Sequence, residues 1–255
     1  MQTQPELEAE AAYLTGARDR LREVLRERML GVYVGGSYAL GDYLPGRSDL
    51  DLAAVVRSPF PTSLEDAIVA VLRHESLPCP ARCLELVVYR EETASSETAT
   101  AEFELNLNTG AGMPVSVWSR SVPDEVGGHW FPIDRSVLSQ VGVALLGPPA
   151  REVFAPIPRR ELLPVLTESV RWHREHESAT GNAVLNACRS LRFAEEGRWS
   201  SKPAAGRWAS ERGVAPGGLV LQALTTLTEG GRLDPSSVAA FLESVEARLR
   251  ELLSS

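Results

Sequence analysis

Residues 30–56 constrain this chain more tightly than any other stretch. A β-like run, Leu30 to Gly35, leads into Gly36-Ser37; a turn-rich segment follows, and two aspartates spaced i, i+2 open a second apolar run, Leu50 to Val56. Successive strand side chains point to opposite faces, so Asp49 and Asp51 project to one side while Leu50 and Leu52 pack behind them. Two carboxylates held side by side repel each other, and a hard divalent cation such as Mg²⁺, bound by oxygen ligands, is the usual remedy. Ser37 falls where a helix should start, and there free backbone N–H groups and the positive end of the dipole favour phosphate. Gly-Ser before a helix is also an ordinary cap, and Asp-x-Asp an ordinary loop pair. The succession of strand, Gly-Ser, helix and Ser48-Asp49-Leu50-Asp51 on the next strand is more specific. It reads as a site for a nucleoside triphosphate carrying its metal.

Bulk properties narrow the partners. The 255 residues suffice for one large domain or two modest ones. A net charge of −8 disfavours a nucleic-acid backbone and suits a cationic small molecule. No run approaches the roughly 18 apolar residues of a membrane span. The acidic, polar start, Met1 to Glu10, is unlike a signal peptide, so no membrane partner and a cytoplasmic location are expected. Cys79, Cys83 and Cys188 form neither a disulfide framework nor a convincing metal spacing and are expected to be reduced thiols. One count is sharper: Lys and Arg total 26, and only Lys202 is lysine. A chain that otherwise prefers arginine keeps one compact ammonium there, of the kind that serves as a phosphate ligand.

Periodicity organises the rest. Leu7, Ala11, Leu14, Ala17, Leu21, Val24 and Leu25 recur at helical spacing, so an amphipathic helix is expected over residues 5–29. Strands are expected over 32–35, 51–56, 83–89, 103–109 and 115–120, and helices over 63–74 and 134–146, the latter running up to Gly147-Pro148-Pro149. Residues 93–100 read as a polar loop. After Pro156-Ile157-Pro158 the strand signals vanish. Helices are expected over 159–174, 180–196, 200–212, 216–229 and 235–253, broken at Gly197, Gly213/Pro216 and Gly230-Gly231. An α/β domain over 1–157 followed by an all-α domain over 158–255 is the expected architecture. Glu85, between Leu84 and Leu86 on the third strand, faces away from the apolar layer. If that strand neighbours the second, Glu85 sits beside Asp49 and Asp51, as a base for a hydroxyl proton, a third metal ligand, or both.

The Gly-Ser followed by Asp-x-Asp resembles the motif of polymerase-β-type nucleotidyltransferases. The likeness extends through Ala144-Leu145-Leu146-Gly147-Pro148-Pro149, Pro156-x-Pro158, Asn182-Ala183-Val184-Leu185-x3-Arg189, Lys202-Pro203 and Arg207-Trp208-Ala209-Ser210-Glu211-Arg212. Over most of its length the chain is similar to aminoglycoside (3'')(9) adenylyltransferases. The resemblance implies an α/β (α+β) nucleotidyltransferase domain with a mixed sheet, then a helical-bundle domain, with ATP and drug bound between them. It implies Mg²⁺-dependent transfer of AMP from ATP to a hydroxyl of an aminoglycoside or aminocyclitol by a monomer. Gly36, Ser37 and Ser48 would contact the triphosphate, Asp49 and Asp51 would hold Mg²⁺, and Glu85 would be the base and a further metal ligand. Arg189 and Lys202 would reach the phosphates from the helical domain.

Drug-inactivating members grip the aminoglycoside with a Trp and two Asp between the first two helices of that domain. Here the corresponding stretch, Trp172 to Gly181, is shorter and has no aspartate. Glu175 and Glu177 stand in place of those carboxylates, with Trp172 as a stacking face and His173 beside it. Spectinomycin is therefore expected ahead of streptomycin. The alternative is adenylylation of another metabolite or of a protein partner, as in antitoxin-like regulators; the long helical region carrying Arg189 and Lys202 favours the drug-type enzyme.

Overall fold

The computed structural model describes residues 7–123 and 125–254. The chain divides into two compact units, Met1–Pro156 and Ile157–Ser255. Pro5, expected to open the first helix, lies outside the described residues.

The first unit runs α1 (Glu8–Leu25), a 3₁₀ turn (Arg26–Arg28), β1 (Met29–Val34), α2 (Gly36–Leu40), β2 (Leu50–Val56), α3 (Thr62–Leu72), β3 (Leu84–Arg90), α4 (Glu91–Ala94), β4 (Leu105–Thr109), β5 (Ser116–Ser119), α5 (Trp130–Val141), β6 (Val143–Leu146) and α6 (Ala150–Val153). Its six strands lie in the order β5-β4-β3-β2-β1-β6. Only β2 and β3 are parallel; every other neighbouring pair is antiparallel, so the sheet is mixed, as the resemblance implied.

Both faces of the sheet are covered, which explains why the strands read as nearly continuous apolar runs. On one face Leu50, Leu52, Ala54 and Val56 of β2 and Leu84, Leu86 and Val88 of β3 pack against Leu14, Ala17 and Leu21 of α1 and Ile68 and Leu72 of α3. On the other, Ala53, Val55, Val87 and Tyr89 meet Phe131 and Leu138 of α5 and Val153 of α6. Each large apolar side chain so buried contributes about 1.5–3 kcal/mol. Residues 51 and 85 belong to this second face by alternation, at the end of their strands.

The helix expected over 134–146 is corrected by the structure. It ends at Val141, and Val143–Leu146 is a strand on the β1 edge, with Tyr33 opposite Ala144 and Val34 opposite Val143. The run Val-Ala-Leu-Leu carries no period of two, so alone it reads as more helix. Gly142 turns the chain out of the helix into an extended conformation, where a β-carbon would lie 2.6 Å from the Leu138 carbonyl oxygen. The unpaired edge of β1 then supplies the hydrogen bonds that a further helical turn would have made.

Arg135 on α5 orders the polar Thr93–Thr100 segment. Fully buried, it donates to the carbonyl oxygens of Thr93, Ser96 (3.4 Å), Thr98 (2.8 Å) and Thr100 (2.8 Å). A charge removed from water survives because both terminal guanidinium nitrogens are satisfied by carbonyl acceptors, although Nε is buried with no hydrogen-bond partner among the described residues.

The second unit is helical: α7 (Arg159–His176), α8 (Gly181–Glu196), α9 (Lys202–Glu211), α10 (Gly217–Glu229) and α11 (Pro235–Ser254). Thr180 and Ser201 cap α8 and α9 by accepting from the backbone N–H of Ala183 and Ala204. Gly181 allows close approach to α10; a β-carbon there would lie 2.6 Å from the Ala223 carbonyl oxygen. No helix among the described residues is long and apolar enough to cross a membrane.

Candidate active site

Strand register assembles the site on the sheet. Asp51 of β2 lies opposite Glu85 of β3, and Glu85 opposite Asn108 of β4. Directly opposed residues share a face, so one row crosses three strands as Asp51, Glu85 and Asn108. Pairing continues past the strand starts: the Leu50 N–H donates to the Cys83 carbonyl (2.9 Å) and the Arg82 N–H to that of Ser48 (3.1 Å). This brings Asp49 alongside Cys83, whose sulfur lies 2.8 Å from Asp49 Oδ1 and 4.0 Å from Glu85 Oε1. The Arg82 guanidinium pairs with the Asp49 carboxylate and lies 3.9 Å from that of Glu85.

The Gly-Ser turn presses on this row. Gly36 has φ +51°, and a β-carbon there would fall 1.7 Å from Asp51 Oδ2, so only glycine fits. The Gly35 N–H donates to the Asp51 carbonyl at 2.9 Å, tying the turn to the main chain of β2. Ser37 is the second residue of α2, a helix of only five residues. Ser48 Oγ accepts from the Leu44 N–H (3.0 Å), closing the turn that delivers Asp49 to the sheet. In this structure Ser48 thus shapes the loop, with its hydroxyl proton left for a further acceptor.

Charge at the site is poorly balanced. The Glu85 carboxyl is pushed well above the usual carboxylate range, first by burial, then by repulsion from Asp51, Asp49 and Asp134, with Arg82 acting the other way. The repulsion is the part of this shift that a bound cation can relieve. The acidic oxygens of Asp49, Asp51 and Glu85 are hard donors that fit Mg²⁺. Asp49, Cys83 and Glu85 present ligand atoms within 4.8 Å of one another.

The residues expected from the second unit form a separate arrangement. Lys202 occupies the first position of α9, the positive end of that helix, where a cation is unfavourable and an anion favourable. Its ammonium donates to Asn182 Oδ1 at 2.7 Å. Asn182 in turn donates to Glu177 (2.8 Å), which also meets His173 Nδ1 at 2.8 Å; Asn186 closes the group on His173 Nε2 at 3.1 Å. Burial raises the Glu177 carboxyl, but the hydrogen bonds from His173 and Asn182 and the charge of Lys202 outweigh it and bring it down to about 2. Arg189 lies with its guanidinium over the Trp199 ring, 5.6 Å from the centroid. Trp172 stacks on His176 with ring centroids 4.7 Å apart, and Glu175 is exposed. Trp172 to His176 form the last turns of α7, so the connection to α8 is only residues 177–180.

Asp51 therefore lies against Gly36 with Glu85 opposite it, and Asp49 meets Glu85 through Cys83 and Arg82, while Glu177 and His173 are joined to Lys202. Sequence reasoning missed Arg82, Cys83 and Asp134. The first two were legible in principle, since residues just before Glu85 must run beside those just before Asp51 once the strands are parallel neighbours. Asn108 Oδ1 is buried with no hydrogen-bond partner among the described residues. Its place beside Glu85 follows from β4 register alone.

A Gly-Ser turn held against a strand aspartate, with a second aspartate and a glutamate beside it on parallel strands, is the arrangement that the nucleotidyltransferase resemblance implied. The family model described as nucleotidyltransferase domain matches residues 18–127. A second, described as aminoglycoside adenylyltransferase, C-terminal domain, matches residues 152–217. Taken together, the two matches and the fold make the chain an aminoglycoside adenylyltransferase-like nucleotidyltransferase, and an enzyme of that kind. Among solved structures it is similar to the spectinomycin adenyltransferase AAD(9) from Enterococcus faecialis, determined with ATP and spectinomycin. The TM-score is 0.69 at 17% identity, covering 94% of this chain and 99% of that one, a likeness of fold. Comparison with curated proteins finds no match.

Proposed function

We propose that the protein transfers AMP from ATP to a hydroxyl of an aminocyclitol or aminoglycoside, with spectinomycin ahead of streptomycin. The observation that carries this is the row of Asp51 and Glu85, joined by Asp49 and bracketed by Gly36. Mg²⁺ would be held by Asp49 and Asp51 with Glu85, and when bound supplies the charge that offsets the triphosphate. Glu85 takes the proton of the acceptor hydroxyl as its oxygen bonds to the α-phosphorus; the bond to the bridging oxygen breaks and pyrophosphate leaves. Arg82, with 61% of its side chain exposed, can release Asp49 when another cation takes its place. Gly36, Ser37 and Ser48 are assigned to the triphosphate, as are Lys202 and Arg189 of the helical unit.

The preference for spectinomycin rests on two supports. The name of the structural relative is that of a spectinomycin enzyme. Glu177, one of the two acids expected to replace a streptomycin grip, is already bound to His173 and Asn182. That leaves Trp172 and the exposed Glu175 as the acceptor contacts from this stretch. We place the protein in the cytoplasm as a monomer, in keeping with three free cysteines.

The deciding experiment is pyrophosphate release from ATP and Mg²⁺ against spectinomycin, streptomycin and other aminoglycosides, with Asp49→Asn as control. Turnover on spectinomycin alone supports the reading in full. Silence across the panel, with ATP still bound, would move the acceptor to another metabolite or to a protein.

A further inference from the structure

We infer that Cys83 makes the carboxylate cluster a mixed oxygen–sulfur site, which captures thiophilic divalent cations such as Cd²⁺ and Zn²⁺ in competition with Mg²⁺. The inference rests on reading Asp49, Asp51 and Glu85 as a metal site. It concerns which ions that site selects.

Cys83 is 2% exposed, stands beside Asp49 across the parallel pair, and precedes Glu85 by two residues on the same face. Its sulfur thus points between two carboxylates, at 2.8 Å from Asp49 Oδ1 and 4.0 Å from Glu85 Oε1. Sulfur and oxygen ligands of one tetrahedral zinc ion stand about 3.6 Å apart, given Zn–S and Zn–O bonds of about 2.3 and 2.1 Å. The two separations bracket that value, so small side-chain rotations bring all three ligands onto one ion. A small thiol filling a gap in the core would need no such neighbours. Cys79 and Cys188 are buried too, yet neither joins a group of three such ligands among the described residues.

Sulfur decides between metals. Mg²⁺ gains nothing from a thiolate, whereas Zn²⁺ and Cd²⁺ bind one strongly. On capture the thiol proton passes to solvent, a metal–sulfur bond forms with no change of oxidation state, and Arg82 swings away from Asp49 into water. An ion so held occupies the carboxylates that Mg²⁺·ATP requires.

The test uses the full chain with Cys79→Ala and Cys188→Ala, leaving Cys83 as its one thiol, titrated with cadmium chloride alone and no nucleotide. The expected result is an ultraviolet thiolate-to-cadmium charge-transfer band that saturates at one ion per chain. Cys83→Ser should abolish the band, and Asp49→Asn or Glu85→Gln should each weaken Cd²⁺ binding roughly tenfold or more. Circular dichroism checks the fold of each variant, and if the double background does not fold, the same comparison is made in the wild-type chain with Cys83→Ser alone. A band that persists without Cys83, or binding indifferent to both carboxylate substitutions, overturns the inference. Cd²⁺ capture without AMP transfer would overturn the proposed function and leave this inference standing; AMP transfer without Cys83-dependent capture would do the reverse.

Discussion

Two glutamates, Glu85 on the sheet and Glu177 on the helices, are treated in opposite ways by their surroundings. Glu85 is affected first by burial and then by Asp51, Asp49 and Asp134, with the exposed Arg82 guanidinium acting against them, and its proton is held more tightly than usual. Glu177 receives hydrogen bonds from His173 and Asn182 with Lys202 close by, and its proton is given up near pH 2. An acid that the fold leaves uncompensated stores repulsion that only a ligand relieves; one that is compensated supports its neighbours. The contrast separates a site from a scaffold without reference to any relative.

The largest expected effect tests the uncompensated side. Glu85→Gln should lower the rate of AMP transfer by about 10²–10⁴. In metal-free buffer its melting temperature should equal or exceed that of the wild type, because an acid whose ionisation the fold disfavours is gone. A fall in stability in step with the fall in rate would make Glu85 a structural residue and break the comparison.

Arg135→Ala supplies the opposite signature. Leaving the carbonyls of the 93–100 segment without their buried donor should cost about 2–4 kcal/mol in denaturant unfolding. An unchanged midpoint would show that the segment is ordered by other contacts.

Metal addition sharpens the difference further. Mg²⁺ at about 100 times its dissociation constant should stabilise the wild type by about 2.7 kcal/mol. Asp51→Asn should lose most of that gain, whereas Glu177→Gln should keep it. Equal stabilisation of all three in thermal melts would place the ion elsewhere.

The smallest expected effect concerns pH. Because the folded state holds Glu177 below its ordinary value near 4.5, its contribution is complete above that pH and lost as pH falls toward 2. Glu177→Gln should therefore cost about 1–2 kcal/mol at neutral pH, after allowance for partial exposure, and close to nothing near pH 2. A gap between variant and wild type that does not narrow on acidification would show that Glu177 acts by packing.

Much of the site was legible because it depends on local pattern. Alternation within two strands places Asp49 with Asp51 and turns Glu85 from the leucines flanking it, and Gly36-Ser37 marks a turn whichever sheet receives it. The solitary lysine singled out Lys202, and the structure joins its ammonium to Asn182 at a helix start. What was hidden depends on pairing between distant segments. Asn108 meets Glu85 only through β4 register, Asp134 only through the docking of α5, and β6 exists only because β1 leaves an edge open.

By itself the sequence determined which residues share a face and where each element could begin, since periods of 2 and 3.6 are written in neighbouring side chains. It determined the mixed α/β unit and the helices after residue 157 in the same way. Only the tertiary structure decided that Cys83 and Arg82 stand among the carboxylates, that Glu177 is bound to Lys202 through Asn182, and that 143–146 is a strand. Those outcomes turn on cross-strand register and helix docking, where the free energy comes from surfaces far apart in the chain and local propensity is overruled.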